Sequence, residues 1–150
     1  MGKYYIQHKT GGDVVDIEST YEGLFVVDTS GLINKGKLKN VYTETFADKK
    51  GMKVSYGSTP LFEATSPSIS FVIIKFASAS TDVVDVYTSF IDFITGKTIF
   101  FWDDIRNVKV ELAMLNAVTA NDIQIRGQER IEFEVEFTNV NGNYEKTSNA

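Results

Sequence analysis

The clearest hydrophobic pattern lies near the end of the chain, in "RIEFEVEFTNVNG" (130–142), where apolar and polar residues alternate. Successive side chains of a strand point to opposite faces. The residues on one face are apolar: Ile131, Phe133, Val135 and Phe137. Those on the other face are polar: Glu132, Glu134, Glu136 and Thr138. This alternation predicts a strand with one buried face and one exposed face.

Short apolar runs predict further strands over 3–9, 13–18, 23–28, 68–79, 98–102 and 108–118. The first two flank the turn "TGGD", whose glycines tolerate the positive φ of a tight hairpin. The run "SISFVIIKFASA" (68–79) is apolar at both odd and even positions, which predicts a central strand covered on both faces. The polar stretch "TANDIQIRGQE" (119–129) is expected to be a loop.

One segment changes to a helical period. Over 82–95 an apolar stripe recurs at helical spacing, formed by Val83, Val84, Tyr87, Phe90, Ile91 and Ile94. Ser80 and Thr81 are candidate N-caps, and Gly96 is a C-terminal signal. We therefore expect a single flanking helix.

Residues 34–60 are polar, with apolar residues only at intervals, and they predict an extended β-hairpin arm. The whole chain then reads as one domain, 1–150, with a flexible tail at 143–150. Its predicted class is mainly β (α+β): an antiparallel β-sandwich or barrel-like sheet with one flanking helix and the arm.

Composition excludes several function classes. The 150 residues carry a formal charge of −5, whereas duplex binding depends on clustered Lys and Arg, so no specific nucleic-acid binding is expected. The absence of cysteine excludes disulfides and thiolate chemistry. No apolar run approaches the ~18 residues of a membrane span, so a soluble protein without a membrane partner is expected. No cofactor is predicted.

Candidate chemistry is sparse, and we expect no enzyme. The three glutamates lie in a row on one strand, whereas glycosidase carboxylates face each other across a cleft, and no Asp-rich loop completes a calcium site. The only histidine, His8, lacks a nucleophile motif around it. A hydrolase would need a cleft that joins two of four carboxylates: Asp103, Asp104, Glu111 and Glu132.

An alternative function rests on aromatic residues. Trp102 follows Phe100 and Phe101, and such a run could form a platform on which a sugar stacks. A small β-sandwich module that binds carbohydrate or acts in adhesion is therefore the second hypothesis. Against it, an aromatic run at a strand end usually packs in the core or at its rim, and the helix at 82–95 argues against a pure jelly roll.

The distribution of charge is the strongest functional signal. Residues 34–60 contain six lysines against Glu44 and Asp48, a net charge of +4, which leaves −9 on the rest of a −5 chain. Such complementary potentials would steer the arm onto the acidic surface of another copy. The predicted interface residues are Lys35, Lys37, Lys39, Tyr42, Phe46, Lys49, Lys50, Lys53, Glu132, Glu134 and Glu136.

The second half of the chain resembles phage and prophage tail proteins of the tail-tube, distal-tail and tail-terminator type. The likeness rests on "SISFVIIKFAS", "TDVVDVYTSFIDFITGKTIFF", "NVKVELAMLNAV" and "RIEFEVEFTNVNG" in this order. The resemblance implies a non-enzymatic virion protein, assembled in the host cytoplasm, that forms rings, commonly hexameric, with copies of itself and contacts other tail proteins. It also implies that long hairpins reach neighbouring subunits, and that the glutamates face either a lumen or an interface.

Overall fold

A computed structural model gives the structure of residues 3–39, 42–45, 52–55, 61–75, 82–114, 118–125 and 128–147. The strands are β1 (Tyr4–His8), β2 (Val15–Asp16), β3 (Leu24–Ser30), β4 (Leu38–Lys39), β5 (Tyr42–Thr45), β6 (Met52–Ser55), β7 (Leu61–Phe62), β8 (Ser68–Ile74), β9 (Thr98–Asp103), β10 (Val108–Met114), β11 (Thr119–Ile125), β12 (Gln128–Asn139) and β13 (Glu145–Lys146). The helices are α1 (Ile17–Thr20) and α2 (Val83–Ile94).

Nine strands form one antiparallel sheet in the order β2-β1-β9-β10-β12-β8-β3, with β11 beside β12 and β13 beside β10. We call β2, β1, β9, β10 and β13 the first half-sheet, and β11, β12, β8 and β3 the second. The halves meet where the end of β12 pairs with β10. The buried residues of both halves belong to one hydrophobic core. The predicted class, mainly β with one flanking helix, is confirmed.

Strand β12 organises the second half-sheet because it has partners on both edges. Its residues from Arg130 to Glu136 pair with β8, with Phe133 opposite Phe71. Its other edge pairs first with β11 and then with β10. The apolar residues predicted for the inner face are all buried: Ile131, Phe133, Val135 and Phe137. The period of two in the sequence therefore predicted this strand correctly.

Helix α2 packs against β8 and β12 through a cluster of aromatic rings. The Phe71 and Phe133 rings are stacked with centroids 5.0 Å apart, and Phe90 of the helix lies 4.9 Å from Phe71. Tyr87 meets Phe133 edge-on at 5.0 Å. Aromatic pairs at such distances add about 0.5–1.5 kcal/mol each beyond their buried area. This cluster fixes the helix on the inner face of the second half-sheet.

The first residue of the helix and its set of buried residues differ slightly from the prediction. Its N-cap is Asp82, whose carboxylate accepts the backbone N–H of Val84 at 2.9 Å, and not Ser80 or Thr81, which lie outside the described residues. Val84 was assigned to the apolar stripe but is 50% exposed, while Val86 is buried. Because Asp82 is the cap, the helix starts one residue later, and its buried positions recur as Val83, Val86, Phe90 and Ile94.

Two predictions about the second half-sheet were wrong. Strand β8 is covered on one face only: Val72 is half-buried and Ile74 is 36% exposed. Burial of both faces was predicted because the outer positions of β8 are also apolar. The predicted loop 119–129 contains β11, which pairs with β12 over seven positions from Thr119 to Ile125. The open edge of β12 supplies backbone partners that propensity alone does not reveal.

The N-terminal hairpin is confirmed, but its second strand is short. β1 pairs with β2 through Tyr5–Asp16 and Ile6–Val15, and Gly11 and Gly12 have the expected positive φ. The predicted strand 13–18 ends at Asp16 because that side chain turns the backbone into α1. Its carboxylate accepts from the Ser19 N–H at 3.4 Å and from the Ser19 hydroxyl at 3.0 Å.

The predicted arm contains two separate two-stranded antiparallel sheets. β4 pairs with β7, and β5 pairs with β6 from Tyr42–Ser55 to Thr45–Met52. Within the described residues these four strands join no strand of the main sheet. The stretch "DKKG" (48–51) within the predicted arm lies outside the described residues. We refer to 38–62 as the ribbon.

Candidate functional site

The glutamate row lies on the outer face of the second half-sheet, opposite the core. Glu134 and Glu136 are exposed, and the side chain of Glu132 is 46% exposed. Alternate residues of a strand are separated by about 6.6 Å, so the row extends about 13 Å along β12. Because the intervening side chains are buried, the carboxylates can point only outward. Their position follows directly from the period of two.

A fourth carboxylate extends this surface across the sheet. Ser70 of β8 lies opposite Glu134, and Asp28 of β3 lies opposite Ser70. Directly opposed residues of antiparallel strands share a face, so exposed Asp28 is on the same side as Glu134. We call Asp28, Glu132, Glu134 and Glu136 the acidic face. Asp28 could not be predicted from the sequence, because a register shift between Val26 and Asp28 breaks the alternation of β3.

The Arg130 side chain partly offsets the acidic face. The Arg130 guanidinium lies 3.3 Å from the Glu132 carboxylate, and both side chains are more than two-fifths exposed. Exposed ion pairs of this kind contribute about 0–1 kcal/mol to stability. Within the described ranges no group of three or more acidic or histidine side chains is arranged to hold a metal ion. The acidic face is suited to attracting positive charge by complementarity.

Backbone hydrogen bonds hold the segments on either side of the ribbon, 36–37 and 63–65, which we call its base. The Gly36 N–H donates to the Gly142 carbonyl at 2.8 Å, and the Glu63 N–H donates to the Lys37 carbonyl at 2.7 Å. A side chain at Gly36 or Gly142 would collide with the Glu63 carbonyl oxygen, so glycine permits this close approach. Thr65 and Asn139 exchange two backbone hydrogen bonds beside it. The base of the ribbon is therefore fixed.

Some of the predicted basic residues lie near the base of the ribbon, and others lie outside the described residues. Lys35, Lys37 and Lys39 are exposed, and the Lys35 amino group lies 5.7 Å from the ring centroids of both Phe62 and Tyr144. Backbone pairing places Lys53 opposite Glu44 and Tyr42 opposite Ser55. The remaining predicted interface residues lie outside the described ranges: Phe46, Lys49 and Lys50.

A cleft of about 220 Å³ opens on the outer face of the first half-sheet. Its walls are Phe100 of β9, Lys109 and Glu111 of β10, and the segment from Asn141 to Glu145. Trp102 lies beside it, with its ring 6.2 Å from the Phe100 ring. Of the aromatic run considered in the sequence, only Phe101 is in the core, while Phe100 and Trp102 are half-buried on the outer face.

The candidate hydrolase carboxylates have different surroundings. Asp103 is 1% exposed and accepts the backbone N–H groups of Ile105 at 2.9 Å and Arg106 at 3.2 Å, so it stabilises the turn after β9. Glu111 forms an ion pair with Lys9 at 2.8 Å and is the one of the four that lines the cleft. Glu132 belongs to the acidic face.

His8 connects β1 to the end of α2. Its ring stacks on Phe93 with centroids 3.9 Å apart, and its Nε2 lies 2.7 Å from the Phe93 carbonyl oxygen. These contacts place the histidine in the packing between strand and helix. Among the described residues, neither helix combines the length and the apolar character that crossing a bilayer requires.

Comparison with known proteins gives a likeness to solved structures. No family model matches the chain, and no curated protein matches it. A solved structure that does match is that of SPP1 Dit (gp 19.1), described as a paradigm of the hub adsorption apparatus in phages that infect Gram-positive bacteria. The TM-score is 0.44 at 12% identity, and the match covers 89% of this chain but 49% of that one. The chain thus spans about half the length of the solved protein, and a TM-score at this level does not establish a shared fold.

Proposed function

We propose that this chain is a non-catalytic structural subunit of a phage or prophage tail that assembles with copies of itself. The observation that carries the proposal is the presence of opposite charges on separate parts of one chain. The ribbon belongs to a segment of net charge +4, whereas the exposed outer face of β12 presents a row of carboxylates. The resemblance of roughly residues 20–142 to tail proteins supplies the tail context, and the proposal does not depend on the SPP1 likeness.

In this mechanism the ribbon of one copy lies along the acidic face of the next. The eight residues from Leu38 to Thr45 can span at most about 26–29 Å, which exceeds the roughly 13 Å of the glutamate row. Such a contact joins two different surfaces, so it is heterologous, and it generates a ring when the rotation between copies closes. The predicted hexamer and the contacts with other tail proteins are parts of this proposal.

The charges would act mainly on the encounter and register of the copies. Each exposed Lys–Glu pair contributes only about 0.2–1 kcal/mol, so several pairs are needed for a measurable effect on affinity. Long-range attraction is screened over a Debye length of about 10 Å at 0.1 M salt. We therefore expect self-association that weakens as salt is raised.

Light scattering coupled to size-exclusion chromatography tests the proposal over protein concentration and salt. The test variant replaces Lys49, Lys50 and Lys53 with Gln. The matched control replaces three exposed lysines outside the ribbon with Gln: Lys3, Lys75 and Lys97. Loss of the oligomer only in the test variant supports the proposal. A wild-type chain that stays monomeric throughout, or an equal loss in both variants, contradicts it.

A charge exchange tests the pairing itself. One variant carries Glu at Lys49, Lys50 and Lys53, and the other carries Lys at Glu132, Glu134 and Glu136. Each alone places like charges in the proposed contact and should remain monomeric. Mixed together, each ribbon meets a face of opposite charge, and oligomers of alternating composition should form. Failure of the mixture, when the wild type assembles, would mean that the ribbon docks elsewhere.

A further inference from the structure

The cleft on the first half-sheet lies away from the acidic face, and assembly through the ribbon makes no use of it. It forms because the chain after β12 leaves the sheet and returns as β13. Leu112 pairs with Asn139 and Lys109 pairs with Glu145, so the segment between Asn139 and Glu145 arches beside β10. The arch and the outer face of β9 and β10 enclose the cleft.

Aromatic rings lie where a water-facing sheet surface would ordinarily be polar. Phe100 and Trp102 are half-buried on this outer face, and Tyr144 is half-buried on the arch. The Lys109 amino group lies 4.3 Å from the Phe100 centroid and 5.0 Å from that of Trp102, a cation–π contact with both rings. Aromatic side chains have few rotatable bonds, so they contact a ligand at little cost in conformational entropy.

The charges around the cleft balance. Glu111 is neutralised by Lys9 at 2.8 Å, and Lys109 lies directly across from Glu145 in the β10–β13 pairing. A phosphate or nucleotide would require an excess of positive charge, and a metal ion would require converging carboxylates. The remaining polar groups include the side chains of Asn141 and Asn143, and an amide both donates and accepts hydrogen bonds. This combination favours a neutral ligand rich in hydroxyl groups.

The arch is held in one conformation before any ligand binds. The Asn139 side chain, 0% exposed, donates from Nδ2 to the Asn143 carbonyl at 2.9 Å. The Asn143 Oδ1 atom accepts the Tyr144 N–H at 2.8 Å, and the Gly142 N–H donates to the Asn139 carbonyl at 3.1 Å. A site that is ordered in advance loses less entropy on binding.

We propose that this cleft binds one neutral sugar ring, with an apolar face of the sugar against Phe100 and its hydroxyl groups toward Asn141 and Asn143. The volume of about 220 Å³ is below the roughly 300–1,000 Å³ of pockets for drug-sized ligands, which suits a single ring at the end of a glycan. The proposal is independent of self-assembly, since none of the residues that line the cleft belongs to the acidic face or to the ribbon.

Trp102 supplies the measurement because it is the only tryptophan in the chain and lies 6.2 Å from the Phe100 ring. Intrinsic fluorescence is followed while methyl glycosides of glucose, galactose, mannose and N-acetylglucosamine are added. Saturable binding of at least one glycoside is expected, with a Kd near the millimolar scale typical of small ligands. Sorbitol, which has the hydroxyl groups but no ring, and glucose 6-phosphate, which adds charge, should bind at least ten times more weakly.

Two variants locate the site and one serves as control. Phe100→Leu keeps an apolar side chain but removes the aromatic ring, and Asn141→Ala removes the amide; each should weaken binding about five- to tenfold. Asn34→Ala alters an exposed asparagine outside the cleft and should leave the Kd unchanged. Thermal unfolding verifies that each variant is folded. The proposal is overturned if no glycoside gives a saturable signal up to about 100 mM, or if sorbitol binds equally well, or if all three variants bind alike.

Discussion

Phe133 and Glu134 are neighbours on β12 that should respond to substitution in opposite ways. Phe133 is 4% exposed and lies 5.0 Å from Phe71 and from Tyr87 and 6.0 Å from Phe90, all measured between ring centroids. Replacing a buried Phe by Ala costs about 3–5 kcal/mol. For a chain of this size each kcal/mol lowers Tm by about 2–4 °C, so Phe133→Ala should lower it by roughly 6–20 °C.

Glu134→Gln should behave differently because its side chain is exposed on the acidic face. Surface substitutions usually change stability by no more than about 0.5 kcal/mol, so Tm should move by about 2 °C or less. Because one exposed pair contributes only about 0.2–1 kcal/mol, self-association measured by light scattering should change little with this single substitution. The assay is thermal unfolding followed by circular dichroism. If Phe133→Ala does not fold, Phe133→Leu provides the comparison, with a loss within the ~0.5–3 kcal/mol usual for single substitutions.

Two results would refute this reasoning. If Glu134→Gln lowered Tm as much as Phe133→Ala, the outer face of β12 would be part of the fold and could not serve as a free surface. If Phe133→Ala left Tm within about 2 °C of the wild type, the aromatic cluster would not hold the helix to the sheet.

Three further predictions concern stability. Burial raises the pKa of Tyr21 above its ordinary 10.0, so the neutral phenol stabilises the folded state. That contribution to the free energy of unfolding is complete below pH 10 and is lost as pH rises through the folded pKa. Denaturant unfolding at alkaline pH should therefore show a smaller loss of stability in Tyr21→Phe than in the wild type. Asp103→Ala should cost about 1–3 kcal/mol in the same assay, because two backbone N–H groups of the following turn lose a charged acceptor. Gly142→Ala should cost more than about 1 kcal/mol, since φ is +61° and a side chain would meet Glu63; an unchanged Tm would show that the base of the ribbon yields easily.

The sequence predicted those parts of the fold that depend on local periodicity. The final strand and the helix follow from repeats of two and 3.6 residues, and the N-terminal hairpin follows from two short apolar runs around the turn "TGGD". The structure contains all three. β11 was missed because "TANDIQI" has no clean alternation, and the strand forms where β12 offers an open edge. The two-sided burial assigned to β8 was wrong because apolar side chains also occupy half-exposed outer positions. Local pattern cannot tell which face a neighbouring layer will cover.

For the candidate sites too, only residues that lie on one strand could be grouped from the sequence. The glutamate row was visible in the sequence because its members are two residues apart on one strand. Asp28 joins it only through the register of β3 on β8, and the cleft joins Phe100, Lys109 and Asn143 from three separate strands or turns. Such sets depend on long-range pairing, so no spacing in the sequence reveals them. The lysines of the ribbon were found through net charge, which needs no structure.

The two outer faces of the sheet carry different chemistry, and neither is needed for the core. Most inner residues of β9, β10 and β12 are apolar and buried, so folding places few constraints on the outer positions of the same strands. On β12 those positions are carboxylates suited to a basic partner, and on β9 they are aromatic rings beside a neutral cleft. A subunit that bound its neighbour through one face would leave the other free. We therefore expect the charge variants of the ribbon to change assembly without changing the Kd for a sugar, and Phe100→Leu to change the Kd without changing assembly.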